Sequence, residues 1–205
     1  MKYARIFGLA AFAAMALTVF VGAGPASATV LCKEAATSGC PDHYTAGTAI
    51  HITLTSGTTL VFESSGGTVL DTCTESTIKS KTGNTGGSSE TVKGDIEALT
   101  WGSCTRTTTT LSVGSLEFHH IPETTNATLT ATGSTEFTID TIFGSCIYGS
   151  GPALDLGTVT GGNPATISIN TNLPKISGNF ACPTFWRMTA NYTFTAPKPL
   201  YISAS

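Results

Sequence analysis

Charged side chains are scarce in this 205-residue chain, with 10 Lys and Arg against 13 Asp and Glu, only 11% of the whole. No run of Lys and Arg gathers into a stripe or patch. A protein that neutralises phosphates carries such a cluster, so no nucleic-acid partner is expected, and an anionic membrane surface is a poor partner. Several chemical signatures are missing as well. The nucleophile elbow Gly-x-Ser-x-Gly does not occur, and Gly149-Ser150-Gly151 lacks its spacing. There is no Cys-x-x-Cys pair and no His at a matching short spacing, which argues against zinc. The stretch Gly83–Gly87 follows Lys79 and Lys81 but lacks the Gly-Lys-Ser/Thr end that cradles phosphates, so it reads as a loop. Asp71, Glu75, Asp95, Glu97, Asp140 and Asp155 are scattered, without the alternating run that wraps calcium or a recognisable glycosidase pair. No cofactor or metal is expected. A triad assembled from distant residues stays open, because triads are recognised by geometry.

What is present begins with an export signature. Lys2 and Arg5 precede an apolar run from Ile6 to Val21, then Gly22-Ala23-Gly24-Pro25 and Ala26-Ser27-Ala28. A positive start, an apolar middle and small residues before the cut predict a signal peptide over residues 1–28. The rival reading, an uncleaved anchor helix, has a run slightly short for a hydrocarbon core of ~30 Å. A lipoprotein is disfavoured because Thr29-Val30-Leu31 before Cys32 lacks the small residues that lipid attachment requires. Lys2 and Arg5 leave with the leader, so residues 29–205 carry 8 basic against 13 acidic side chains, a formal charge of −5. That length is expected to form a single domain with no membrane span.

Threonine supplies about one residue in five. Its branched β-carbon favours extended backbone, and its hydroxyl can face water without carrying charge. Six cysteines, Cys32, Cys40, Cys73, Cys104, Cys146 and Cys182, all lie beyond the expected cut. An even number in an exported chain predicts three disulfides, although six cysteines allow 15 connectivities. We expect neighbours to pair: Cys32 with Cys40, Cys73 with Cys104, and Cys146 with Cys182. Loop-closure entropy would give the two longer loops up to ~4 kcal/mol each and the short one ~2.5 kcal/mol.

Period-two alternation recurs along the chain. Ile50, Ile52 and Leu54 share a face, as do Leu60 and Phe62, Leu116 and Phe118, and Phe137, Ile139 and Phe143. Ala165, Ile167 and Ile169 follow the same rule, and the clearest strand alternates Trp186, Met188, Ala190, Tyr192 and Phe194 with Arg187, Thr189, Asn191, Thr193 and Thr195. Turn clusters such as Ser64-Ser65-Gly66-Gly67 and Gly161-Gly162-Asn163-Pro164 separate these runs. Short strands at this spacing imply a sandwich or a barrel. The immunoglobulin pattern is absent, because Cys73 and Cys104 are too close and no tryptophan lies suitably between them. The expected fold is all-β: a disulfide-linked antiparallel β-sandwich, Greek-key or jelly-roll-like, after an N-terminal signal helix. A porin-like barrel fits poorly with paired cysteines in so short a chain. Ile52-Thr53-Leu54-Thr55 ahead of Cys73 echoes Ala127-Thr128-Leu129-Thr130 ahead of Cys146. This reads either as two related halves or as a chance product of Thr- and Gly-rich composition, and the second is preferred.

Among residues that carry chemistry, His119 and His120 are adjacent and so point to opposite faces of a strand, unless it ends at Ile121-Pro122. Glu117 shares a face with His119 and could orient its ring, though a solvent-facing pair is the blander account. His43 and His51 have no local partner. Trp101, Trp186, Tyr148 and Tyr192 are candidates for a sugar-stacking platform, while the alternation around Trp186 and Tyr192 favours core packing. Leu173-Pro174-Lys175-Ile176-Ser177 has a faint likeness to a sortase signal but no apolar tail follows, so it reads as a turn.

Several segments together resemble a group of uncharacterised exported proteins of actinobacteria: Leu31-Cys32-Lys33, Thr68-Val69 before Cys73, Leu154-Asp155-Leu156-Gly157-Thr158 running into Gly161-Gly162-Asn163-Pro164-Ala165, and the closing Cys182-Pro183, Trp186, Tyr192-Thr193 and Pro199-Leu200-Tyr201. The resemblance implies export and a β fold and names no catalytic residue. Leu70-Asp71-Thr72 departs from it by placing extra length between Val69 and Cys73, which bears on that strand's register. The function expected is a non-enzymatic structural, adhesive or ligand-binding module at or near the cell surface, with a cell-wall or extracellular glycan as the partner to test. The alternative is a secreted hydrolase with a dispersed site around His119 and Glu117.

Overall fold

A computed structural model describes residues 28–142 and 144–205. Residues 1–27 of the expected signal segment, and Phe143, lie outside the described residues. In chain order the strands are β1 (Thr29–Cys32), β2 (Ala49–Leu54), β3 (Leu60–Glu63), β4 (Val69–Thr82), β5 (Gly86–Gly87), β6 (Val92–Cys104), β7 (Thr108–Ser112), β8 (Ser115–His120), β9 (Ala127–Ala131), β10 (Thr135–Thr141), β11 (Gly144–Ser150), β12 (Leu154–Thr160), β13 (Thr166–Ser177), β14 (Phe185–Ala196) and β15 (Tyr201–Ser203). All ladders between these strands are antiparallel.

The expected two-layer sandwich gives way to a closed barrel. β2 and β3 run end to end, and both pair with β4 on one side and with β14 on the other. β7 with β8, β9 with β10, and β11 with β12 are likewise broken halves of single lines, so eight strand lines result. Each line pairs with its neighbour in the chain, and β14 returns to β2 and β3, giving an up-and-down meander in place of a Greek key or jelly roll. The correction has a simple cause. Inward and outward residues alternate in the same way in a sandwich and in a small barrel, so periodicity cannot tell them apart.

The alternating positions fall where their chemistry requires. Ile167, Ile169 and Leu173 of β13 and Trp186, Met188, Ala190, Tyr192 and Phe194 of β14 are buried, while Ser168, Asn170, Asn172, Arg187 and Asn191 face out. A polar outside around an apolar inside is the inverse of a membrane barrel. Toward one end the interior is aromatic: Tyr148 stacks on Trp186 with centroids 4.5 Å apart, and Phe62 touches Trp186, Phe137 and Trp101. Hydroxyls reach inward too, since Tyr192 donates to Ser76 Oγ (3.0 Å) and Ser76 donates to the Thr100 carbonyl (3.0 Å).

Small irregularities bend the lines. The ladder between β3 and β4 shifts between Phe62 and Glu63, leaving Leu70 as the extra residue that absorbs the added length before Cys73. A second shift on β12 leaves Leu156 extra beside β9, and next to it Gly157 has φ +145°, with the position of a Cβ only 2.0 Å from the Ser168 carbonyl oxygen.

One end is capped by the small sheet of β15, β1 and β5, which buries Leu31, Leu200 and Ile202. Cys32–Cys40 ties this cap, whereas Cys73–Cys104 and Cys146–Cys182 staple the far end. The pairing is sequential. The echoing segments also occupy equivalent places: Cys73 lies on the second line and Cys104 ends the third, while Cys146 lies on the sixth and Cys182 follows the seventh.

Gly157→Ala is expected to cost about 2–4 kcal/mol through the clash and the left-handed backbone. In a chain of this size that lowers the thermal midpoint by on the order of 5–10 °C, while Gly151→Ala, with no atom within 4 Å of its Cβ, leaves it unchanged. Calorimetry of the two variants makes the comparison. Burial pushes the Tyr148 and Tyr192 phenols up to about 12. A raised folded value means that the unfolded chain loses these protons first, so stability is complete below pH ~10 and falls progressively up to pH ~12. Urea unfolding across that window, with phenolate absorbance as a second signal, is expected to show this loss coinciding with ionisation.

Candidate functional site

The lumen is the first place to look in a closed barrel, and here it is nearly full. A void of about 70 Å³ lies among Ile96, Leu99, Trp101, Leu129, Phe137 and Tyr192. Pockets for organic ligands of ordinary size run to ~300–1,000 Å³, so a compact ligand has no room inside. Any larger partner binds outside.

Two of the grooves on the outer surface gather the most polar side chains. The first, of about 520 Å³, lies where the turn Ser64–Gly67 overhangs the outer faces of β13 and β14. Its turn wall is well defined: Gly67 N–H donates to the Ser64 carbonyl (2.9 Å) and Thr68 N–H donates to Ser64 Oγ (3.2 Å). Arg187 sits directly across the ladder from Glu63 on one side and from Asn172 on the other. Its Nε–H donates to Asn170 Oδ1 (2.9 Å), which fixes the guanidinium plane. Ion pairs among the described residues join Lys33 to Asp42, Lys81 to Glu97 and His119 to Glu117, so Glu63 and Arg187 are opposed without being paired to each other. The ring of Phe185 closes one side, half-buried. A carboxylate, two amides, a guanidinium and an aromatic edge therefore converge on open space.

The second groove, of about 760 Å³, runs between the turn that carries Asn84 and Glu90 and the outer faces of β6 and β8. It contains His119 and Glu117. Asn84 holds the turn by accepting from Lys93 N–H (2.8 Å) and donating to the Thr91 carbonyl (2.9 Å). The Thr91 hydroxyl donates to Glu117 Oε1, and His119 Nε2 lies 3.7 Å from Glu117 Oε2. The order matters. In a nucleophile relay the imidazole stands between hydroxyl and carboxylate, whereas here the carboxylate stands in the middle. His120 points the other way, is buried, and has its Nε2 2.8 Å from the Thr124 carbonyl oxygen. His43 and His51 join neither groove.

The aromatic platform is overturned for three of its four members. Trp186, Tyr148 and Tyr192 are at most 1% exposed and pack the core, because each falls on an inward position of its strand. Trp101 is half-buried and donates its indole N–H to Thr110 Oγ1 (2.9 Å).

Among the described residues the one close cluster of three possible metal ligands is Asp71 with Cys73 and Cys104, whose sulfurs are spent on each other. Asp71 is fully buried and already satisfied. Its Oδ1 accepts from Thr72 N–H (2.9 Å), Thr105 O–H (2.6 Å) and Arg106 N–H (2.9 Å), and its Oδ2 accepts from Thr108 O–H (2.8 Å). The arrangement pins the turn from β6 to β7 onto β4. It is structural.

Sequence reasoning missed the first groove entirely. Glu63, Asn170, Asn172 and Arg187 come from three strands and are ordinary outward residues on each. No family model matches the chain, and no curated protein or solved structure matches it either.

Asp71→Ala removes a buried acceptor shared by four donors and is expected to cost about 3 kcal/mol, read as a lower urea midpoint with an unchanged slope. Asp71→Asn keeps an acceptor and is expected to cost less. Equal losses in both variants would point to packing instead of hydrogen bonding.

Proposed function

We propose that the protein is a non-enzymatic extracellular binding module that presents the groove of Glu63, Asn170, Asn172, Phe185 and Arg187 to a surface glycan. The observation that carries this reading is the unpaired opposition of Arg187 and Glu63 beside two amides and a ring edge, on a barrel too full for a compact internal ligand. Sugars offer adjacent hydroxyls that take paired hydrogen bonds from amide, carboxylate and guanidinium groups, and an apolar ring face that packs on an aromatic side chain. Three disulfides support an oxidising compartment. The weakly charged, threonine-rich exterior supports a module that meets neutral polymers without long-range charge attraction.

The hydrolase reading is the weaker one, because the hydroxyl in the His119 groove is bound to the carboxylate and not to the imidazole.

A glycan array probed with the oxidised protein is expected to give a restricted set of hits. Arg187→Ala removes a charged hydrogen-bond donor and is expected to weaken those hits roughly 10- to 100-fold. His119→Ala is expected to leave them unchanged. An array with no hits, or hits indifferent to Arg187→Ala, would sink the proposal, and turnover of a bound glycan lost in His119→Ala would establish the hydrolase.

A further inference from the structure

The barrel wall is not uniform. β6 pairs with β8 only from Val92 to Asp95, and the last backbone bond on that side runs from Ile96 N–H to the Gly114 carbonyl (3.0 Å). β7 pairs with β10 alone and stands at the end of the strand order. The second half of β6 therefore faces β7 across a seam without a backbone ladder. One side chain bridges it: Thr110 Oγ1 accepts from the Trp101 indole (2.9 Å) and donates to the Leu99 carbonyl (2.8 Å).

The void in the lumen lies behind this seam. Ile96, Leu99 and Trp101 line it on the seam side and are half-buried, whereas Ile167, Ile169 and Tyr192 on the far wall are buried. No charged side chain lines the void. On the outer rim, Leu111 is 51% and Val113 37% exposed, two apolar side chains facing water beside the place where the wall is thinnest. An apolar void, an unladdered wall in front of it, lumen residues reaching water through that wall and an apolar rim thus coincide.

We infer that the seam between β6 and β7 is the mouth of an apolar slot that takes the end of an unbranched hydrocarbon chain, with Thr110 as its latch. The void's size selects the occupant. A dry cavity of ~150 Å³ holds benzene, so one of about 70 Å³ has room for the last few methylenes of a chain and not for a ring. The rest of the chain lies along the seam against Leu99, Leu111 and Val113. The seam lies on the opposite side of the barrel from the Arg187 groove, so this inference goes beyond the glycan reading and stands independently of it.

The test is calorimetric titration of the oxidised protein with straight-chain carboxylates from hexanoate to dodecanoate, below their micelle concentrations, alongside phosphatidylcholine vesicles. Saturable one-to-one binding is expected, tightening by up to about fourfold for each added methylene that the seam buries and levelling off once the chain extends past Leu111 and Val113. Trp101 emission is expected to shift as the latch opens. Ile96→Trp blocks the mouth at a half-buried position and is expected to abolish binding. Leu129→Phe fills the void from within and does the same, so a folding defect in one variant leaves the other to decide. Arg187→Ala is expected to bind chains as the native protein does. Soluble chains binding alone identify free chains as the source, and vesicle binding lost in Ile96→Trp identifies membrane lipid. No saturable binding at any chain length, no length dependence, or binding that survives a folded blocking variant overturns the inference.

Discussion

Closure of β14 onto β2 and β3 is the constraint on which the rest of this molecule depends. Before that closure, β13 and β14 form a strand pair with a row of open backbone groups. After it, β14 is paired along both edges and an interior exists. Closing eight lines forces them to tilt and coil, and the chain meets that demand locally. The bulges at Leu70 and Leu156, the positive φ of Gly157 and the breaks that split four lines into halves each relieve curvature where a regular strand would resist it. Edges are also where strands recruit other chains, so closure removes a hazard that an uncharged, threonine-rich sheet would otherwise carry.

A closed barrel of this size must also be filled, and the filling decides where function can lie. Trp186, Tyr148, Phe62 and Phe137 occupy one half of the lumen, and Phe118, Phe194 and the aliphatic residues of β2, β9 and β13 occupy the other. Each aromatic ring removes a large apolar area from water, and together they leave no chamber for a compact guest. Recognition is therefore pushed to the outward positions of the strands. Those positions are mostly Thr, Ser and Asn, so a place where Arg187 and Glu63 face each other beside Asn170 and Asn172 stands out chemically against a bland surround.

What was legible in the sequence was whatever a short window can express. The alternation through Ile50–Leu54 and Trp186–Phe194 assigns the correct faces, because each strand there has one apolar and one polar side. The length of β4 was not legible from alternation: its inward positions include Ser76 and Thr82, hydroxyls whose partners, such as Tyr192 and Thr45, are distant in the chain. Closure was invisible for a similar reason, since the pairing of Leu54 with Tyr192 spans most of the chain and leaves no local mark. The groove shares this property. Glu63 is separated from Asn170, Asn172 and Arg187 by more than 100 positions, and nothing in its neighbourhood announces Arg187. The segments before Cys73 and Cys146 that echo each other fall on the first and fifth lines of the meander.

Of the two far-end disulfides, one lies where the ladder is thin and the other within a continuous ladder. Between β11 and β13 only Ile147 with Ser177 and Tyr148 with Lys175 are paired, and Cys146–Cys182 joins the chain at that point. Cys73–Cys104 links directly opposed residues of the long β4–β6 ladder, and between β6 and β7, where there is no ladder, the buried Asp71 gathers the turn that leads into β7. A covalent link acts chiefly by restricting the unfolded chain, so it adds stability without needing hydrogen bonds at the weak point itself. Asp71 does the complementary work in the folded state, fixing the backbone on one side of the seam while the seam stays unzipped. The wall between Leu99 and Thr110 is then held by one hydroxyl, while Cys73–Cys104 and the long ladder hold β6 to β4 on its other side.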